Sequence, residues 1–168
     1  LQSPLQIVVL GAGLIGKRQA EAVQKSKRAE VVGVIDPSAS GKEFADELKL
    51  DWFSSFDEFL NVKKADGIVI ATPNQMHVDM GLQCVAQNLP ALIEKPISDN
   101  AQSASILVEA AKTAGVEILV GHHRRHNSIV KVAKEKIKSG VIGNIVAAHS
   151  SCWLCKPDNY FDVEWRTQ

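Results

Sequence analysis

The stretch Ile7-Val8-Val9-Leu10-Gly11-Ala12-Gly13-Leu14-Ile15-Gly16 constrains this chain more than any other. Four apolar residues read as a short buried strand, G-x-G-x-x-G as a tight turn, and the residues after it as the start of a helix. Each glycine has a physical task. Gly11 permits the turn, Gly13 lets the backbone approach a pyrophosphate, and Gly16 lets the helix pack close to the strand. Amides of the first helical turn, with the helix dipole behind them, favour a doubly anionic ligand. The motif alone is weak. It gains force when a strand precedes it, a helix follows, and an acidic residue closes the next strand.

Those conditions are met in order. Leu14 to about Lys27 reads as a helix, with Ile15, Ala22 and Val23 expected on its inward face. Val31-Val32-Gly33-Val34-Ile35 is a nearly continuous apolar run, as in a parallel strand covered on both faces. It ends at Asp36, about 20 residues past the last glycine, where a dinucleotide fold places its ribose-binding carboxylate. Asp36-Pro37-Ser38 is also good turn chemistry in its own right. A carboxylate at Asp36 would hydrogen-bond the adenosine ribose and repel a 2′-phosphate, so NAD is favoured over NADP. The nearest following base is Lys42.

The alternation of strand and helix continues. Lys42 to Leu48 reads as a helix with Phe44, Ala45 and Leu48 inward, and Asp51-Trp52-Phe53 as a brief strand. Ser55-x-x-Glu58 matches a capping box opening a short helix. Gly67 to Ala71 is another buried strand. Gln75 to about Asn88 follows as a helix with Val78, Leu82, Val85 and Ala86 on one face, and Ala91-Leu92-Ile93 as a strand. Asp99, with Gln102 three residues on, is expected to cap a helix whose face is Ala104, Leu107, Val108, Ala111 and Ala114, ended by Gly115. Val116 to Val120 completes six strands. This pattern implies an α/β fold, a doubly wound parallel sheet in the order 3-2-1-4-5-6.

Beyond it, Asn127 to Ser139 is an amphipathic helix with lysines outside, read as a solvated face rather than a phosphate site. Ile142 to Ser151 alternates like a strand. The expected organisation is therefore a dinucleotide-binding Rossmann domain over 1–122, then over 123–168 a linker helix and the first strand of a truncated substrate or oligomerisation domain.

Composition narrows the partners. Lys+Arg and Asp+Glu are both 19, so no net field marks a nucleic-acid or membrane-surface binder. No apolar run approaches the roughly 20 residues that span a bilayer. Cys84, Cys152 and Cys155 make no extracellular disulfide framework, so a reducing cytoplasm is expected. Cys152-x-x-Cys155 is formally a C-x-x-C, but only His149 lies near as a further ligand and the segment looks extended. It is read as incidental, with no metal expected.

In an open α/β sheet the ligand sits outside the carboxyl ends of the strands. After the fourth strand, ending at Ala71, comes Thr72-Pro73-Asn74-x-x-His77. After the fifth comes Glu94-Lys95-Pro96, and after the sixth Gly121-His122-His123-Arg124-Arg125. Singly, each has a plain reading: a turn with a helix cap, a surface ion pair worth under about 1 kcal/mol, a basic loop. Their joint placement at one sheet edge argues for a site.

With these motifs the chain from Ile7 to Arg166 resembles the Gfo/Idh/MocA-type nicotinamide-dependent oxidoreductases. Gly11-x-Gly13-x-x-Gly16, Thr72-Pro73-Asn74-x-x-His77, Glu94-Lys95-Pro96 and Gly121-x-x-Arg124-Arg125 match in order, as does Tyr160-Phe161-x-x-x-Trp165-Arg166. The resemblance implies that Lys95 is catalytic, hydrogen-bonding the substrate hydroxyl or carbonyl, and that Pro96 follows a cis peptide. It implies that Glu94 contacts the nicotinamide ribose or carboxamide. Ala71, Thr72, Pro73, Asn74 and His77 would line the cofactor near its nicotinamide half, with Gly11, Ala12, Gly13, Leu14, Ile15, Gly16 and Asp36 at the other. Arg124 and Arg125, with Trp165 and Arg166, would face the active-site entrance or the domain junction, Arg124 touching the cofactor.

The family also places an Asp and a His on a helix of its second domain, and neither position matches here. The expectation is thus a cofactor-binding part of an NAD(P)-dependent dehydrogenase of a polyol, sugar or related hydroxy compound, with little turnover by itself. The whole protein is expected to be a homo-oligomer. A non-catalytic NAD-binding module or sensor, and a non-redox reaction run through transient oxidation, stay open as alternatives.

Overall fold

Six parallel strands, ordered β3-β2-β1-β4-β5-β6, carry the first of the chain's two compact units. The computed structural model describes residues 3–62 and 64–162, with Asn159 by its backbone alone. The strands are β1 (Leu5–Leu10), β2 (Ala29–Ile35), β3 (Asp51–Phe53), β4 (Gly67–Ile70), β5 (Ala91–Ile93) and β6 (Ile118–Val120). The helices are α1 (Leu14–Lys25), α2 (Ala39–Leu48), α3 (Phe56–Val62), α4 (His77–Ala86), α5 (Ala101–Ala114) and α6 (Ser128–Lys138). This is the doubly wound order that the sequence pattern implies.

Side chains alternate across the sheet, so its central strands feed two cores. Val8, Leu10, Ile68, Ile70 and Ile93 pack with Phe56, Phe59, Cys84 and Leu107 on one face. Val9, Val31, Val34 and Val69 pack with Ala20, Phe44 and Ala45 on the other.

The register is level at the carboxyl edge. Leu10 pairs with both Ile35 and Ile70, Ile70 with Ile93, and Ile93 with Val120. One further backbone bond closes each strand end: Gly11 N to the Ile35 carbonyl (2.8 Å), Ala71 N to Leu10 (2.8 Å), Glu94 N to Ile70 (2.9 Å) and Gly121 N to Ile93 (2.8 Å). Gly11, Asp36, Ala71, Glu94 and Gly121 therefore leave the sheet side by side. That alignment builds the site.

Several helix faces differ from expectation. In α1 the buried residues are Gly16 and Ala20, with Val23 half-buried, whereas Ile15 and Ala22 are exposed. The i, i+4, i+7 line starts at Gly16 because that residue must lie on the strand. In α4 the line is His77, Gly81 and Cys84; Val78, Leu82 and Val85 flank it and Ala86 is exposed. In α5, Leu107 and Ala111 are buried while Val108 and Ala114 face out.

The caps also shift by one residue. Asn100, not Asp99, caps α5, its side chain accepting from Ser103 N at 2.8 Å. Asp99 accepts instead from Ser98 Oγ and Asn100 Nδ2. At α3, Ser55 Oγ accepts from Glu58 N as a capping box requires, but the Glu58 carboxylate returns to Ser54 N and Oγ, both at 2.7 Å. Those hydrogen bonds hold the Glu58 carboxyl below its ordinary range.

The chain divides into two compact units, one ending at His123 and the other beginning at Arg124. In the second, Asn127 caps α6 through Ile129 N. The expected strand from Ile142 to Ser151 does not form, and those residues are exposed. Strand amides need a neighbour to pair with, and this segment has none among the described residues of its unit.

Candidate functional site

The glycine turn is built by close approach. Gly11 has φ +94°, and a Cβ there would stand 2.8 Å from the Ala71 carbonyl carbon and oxygen. A Cβ on Gly16 would overlap the Gly11 carbonyl oxygen, so strand and helix meet without a side chain between them. Gly13 differs: it is exposed, and nothing lies within 4 Å of where its Cβ would be. As the α1 N-cap it supplies no side-chain hydrogen bond, and the first turn carries no acidic residue. The leading amides of α1 are thus left for an external anion, which fits a pyrophosphate. Leu14 and Ile15 stand exposed beside them.

Asp36 is locked to that turn. Its Oδ2 accepts from Ala12 N at 2.7 Å, and its Oδ1 from Ser38 N at 2.8 Å and from Ser38 Oγ. The Trp52 indole N–H donates to the Asp36 carbonyl at 2.9 Å. A Cβ at Gly41 would stand 2.5 Å from Asp36 Cβ, so the first turn of α2 fits against Asp36 only with a glycine at this position. Ser38, Gly41 and Trp52 escape sequence reasoning as site residues. Ser38 also caps α2 by accepting from Gly41 N, and the Asp-Pro-Ser turn was the available signal for it. Nothing local marks Trp52.

Ala71, Thr72, Pro73 and Asn74 follow β4, and Asn74–Met76 forms a single 3-10 turn before α4. The Thr72 hydroxyl is buried and has no hydrogen-bond partner among the described residues. It is a spare polar group at this edge, a feature that suits a ligand-lined loop. His77 lies beneath. It is fully buried, with Nδ1 2.7 Å from the Pro96 carbonyl oxygen and Nε2 2.9 Å from that of Thr72. The ring ties the two loops together and presents no surface to a cofactor.

Glu94, Lys95 and Pro96 leave β5, with the Lys95–Pro96 peptide cis and Lys95 exposed. Glu94 is half-buried. Gln19 Nε2 of α1 donates to its Oε1 at 2.5 Å, and Lys95 N lies 3.4 Å from its Oε2. A Cβ on Gly121 would stand 3.0 Å from Glu94 Oε2, so the glycine after β6 makes room for that carboxylate. Gln19 is a further residue the motifs do not reveal.

The structure thus brings together the glycine turn, Asp36, Thr72-Pro73-Asn74 and Glu94-Lys95-Pro96. Arg124 belongs to the other unit, where its Nη1 is 3.5 Å from Cys152 Sγ. Arg125 is exposed there as well, and Trp165 and Arg166 lie outside the described residues. Among the described residues no cluster of three or more His, Cys, Asp or Glu could hold a metal. None of their helices is long and apolar enough to cross a membrane.

Comparison with known proteins agrees with this geometry. The chain is 32% identical over 142 residues to the 2,7-anhydro-N-acetylneuraminate hydratase of Escherichia coli K12, covering 84% of this chain and 38% of that protein. It is 31% identical over 143 residues to the glucose-6-phosphate 3-dehydrogenase of Bacillus subtilis, covering 84% and 40% respectively. The chain therefore spans about two-fifths of the length of these relatives. Among solved structures, scyllo-inositol dehydrogenase of Lactobacillus casei with bound NAD(H) and scyllo-inositol superposes with a TM-score of 0.79. That match covers 84% of this chain and 43% of that one at 19% identity, a likeness of fold. Residues 5–122 match the family described as oxidoreductase family, NAD-binding Rossmann fold, and the chain belongs to it, the Gfo/Idh/MocA family.

Proposed function

We propose that this chain is the cofactor-binding part of an NAD-dependent dehydrogenase acting on a polyol, sugar or related hydroxy compound in a reducing cytoplasm. One observation supports this above the rest: Glu94 and Lys95 emerge at the same level edge as the Asp36-locked glycine turn. The α1 amides around Gly13 and Leu14 would hold the pyrophosphate, and Asp36 the adenosine ribose. Thr72, Pro73, Asn74 and Glu94 would hold the nicotinamide end. When bound, the nicotinamide supplies the hydride acceptor or donor. Lys95 would carry the proton at the substrate oxygen, taking it from the hydroxyl on oxidation and returning it on reduction. The homo-oligomer expected of the whole protein belongs to the same proposal.

Fluorescence titration of the chain with NADH and NADPH tests cofactor binding and choice. In the whole protein, Lys95→Ala should lower kcat about 100-fold or more at unchanged NADH affinity. Turnover close to wild type would remove Lys95 from the chemistry. A second reading is favoured by the Escherichia coli relative, which is named as a hydratase. There the substrate would be oxidised and reduced again within one turnover, its hydride lent to the nicotinamide and returned, and no net NADH would accumulate while substrate is consumed.

A further inference from the structure

We infer that Gln19 is a positioning residue that fixes the Glu94 carboxylate toward the nicotinamide end of the cofactor. The inference rests on the reading of Glu94 given above and adds the residue that makes it effective. A glutamate at a strand end has rotamers to spare, and a half-buried carboxylate facing a ligand must be held in one of them. Here one oxygen is occupied. Gln19 Nε2 reaches Oε1 from α1, 75 residues earlier in the chain, at 2.5 Å. The other oxygen, Oε2, lies near Lys95 N at 3.4 Å and above Gly121, where any Cβ would crowd it at 3.0 Å. The carboxylate is confined from two sides.

The choice of glutamine has a consequence. An amide N–H binds the carboxylate without neutralising it, whereas a lysine or arginine would cancel the charge in an ion pair. Glu94 keeps its negative charge for a ribose hydroxyl or carboxamide donor. Gln19 also sits on the helix whose N-terminus receives the pyrophosphate, so one rigid element sets both ends of the cofactor.

The test compares NADH with ADP, which shares the adenosine and pyrophosphate and lacks the nicotinamide end. In the 168-residue chain, Gln19→Leu should weaken NADH roughly tenfold, the size of one hydrogen bond to a charged group, and leave ADP within about twofold. Glu94→Leu should show the same split, and the double variant should bind NADH no more weakly than Glu94→Leu. Equal loss of NADH and ADP in Gln19→Leu would overturn the inference, because that marks damage to α1. Loss in Glu94→Leu with none in Gln19→Leu would overturn it and leave Glu94 in its role. No loss in Glu94→Leu, or no binding of NADH and ADP by the unaltered chain, would overturn the inference and the reading beneath it.

Discussion

The His77 Nδ1 lies 2.7 Å from the Pro96 carbonyl oxygen, and the opposite nitrogen of the same ring faces Thr72, so one buried imidazole spans the two loops that carry the site. Carbonyl oxygens only accept. Whichever ring nitrogen carries the proton donates to the carbonyl oxygen it faces. The resemblance puts His77 against the cofactor; its burial makes it a brace. His77→Leu keeps most of the bulk and removes the ring N–H, leaving the carbonyl it served unpaired at a cost of about 1–3 kcal/mol. Urea unfolding should show a loss of that size, about 1–3 kcal/mol. An unchanged midpoint would mean the brace contributes nothing.

The glycines separate folding from binding. Gly16→Ala drives a methyl into the Gly11 carbonyl and should destabilise the domain by about 2 kcal/mol or more, as overpacking does. Gly13→Ala meets open space, so its unfolding midpoint should stay within about 0.5 kcal/mol of wild type. Its methyl would nevertheless occupy the surface where a pyrophosphate approaches, and NADH affinity should fall at least about tenfold. If Gly13→Ala bound NADH normally, the ligand would not lie on this turn.

Asp36 holds the turn, and under the proposed function it also holds the ribose. Because Oδ2 already accepts from Ala12 N, Asp36→Asn should cost affinity for NADH while narrowing any preference over NADPH. The expected change is roughly tenfold in the NADH to NADPH ratio, read by fluorescence titration. Equal affinities of the unaltered chain for the two cofactors would sink the argument from this carboxylate.

How much of this was legible beforehand depends on the range of the interaction. Gly11, Gly13, Gly16 and Asp36 are read from order and spacing, because the turn, the helix start and the strand end are local. Level strand ends follow from the parallel register, and so do the neighbouring loops of Thr72 and Glu94. Long-range partners are different. The Gln19 amide finds Glu94 across 75 residues, and no period in α1 announces it. Hydrophobic periodicity misplaces a helix face where small residues lie in the buried line, as Gly16 and Gly81 do, since it weighs large side chains. The α5 cap moved from Asp99 to Asn100 because both are good N-caps and the chain decides between them by its path out of Ser98. Ile142 to Ser151 has a strand's alternation, but a strand requires a partner as well as a pattern.

Thiol chemistry supplies a check that needs no cofactor. Cys84 is fully buried on α4 among apolar side chains, and burial pushes its thiol up to about 12, from an ordinary value of 9.0. Cys152 and Cys155 are exposed. A thiol reagent at pH 8 should therefore titrate two sulfurs quickly and the third only on unfolding. The same shift bears on stability. In the fold the thiol keeps its proton, whereas the unfolded chain begins to lose it near 9, so the unfolded state binds fewer protons above that pH. The contribution of Cys84 is complete below about 9 and fades as pH climbs through about 12. Urea midpoints of the chain and of Cys84→Ala should accordingly converge as pH rises from 8 to about 10.5. A gap that stays constant over that range would show that the Cys84 thiol does not titrate differently in the fold.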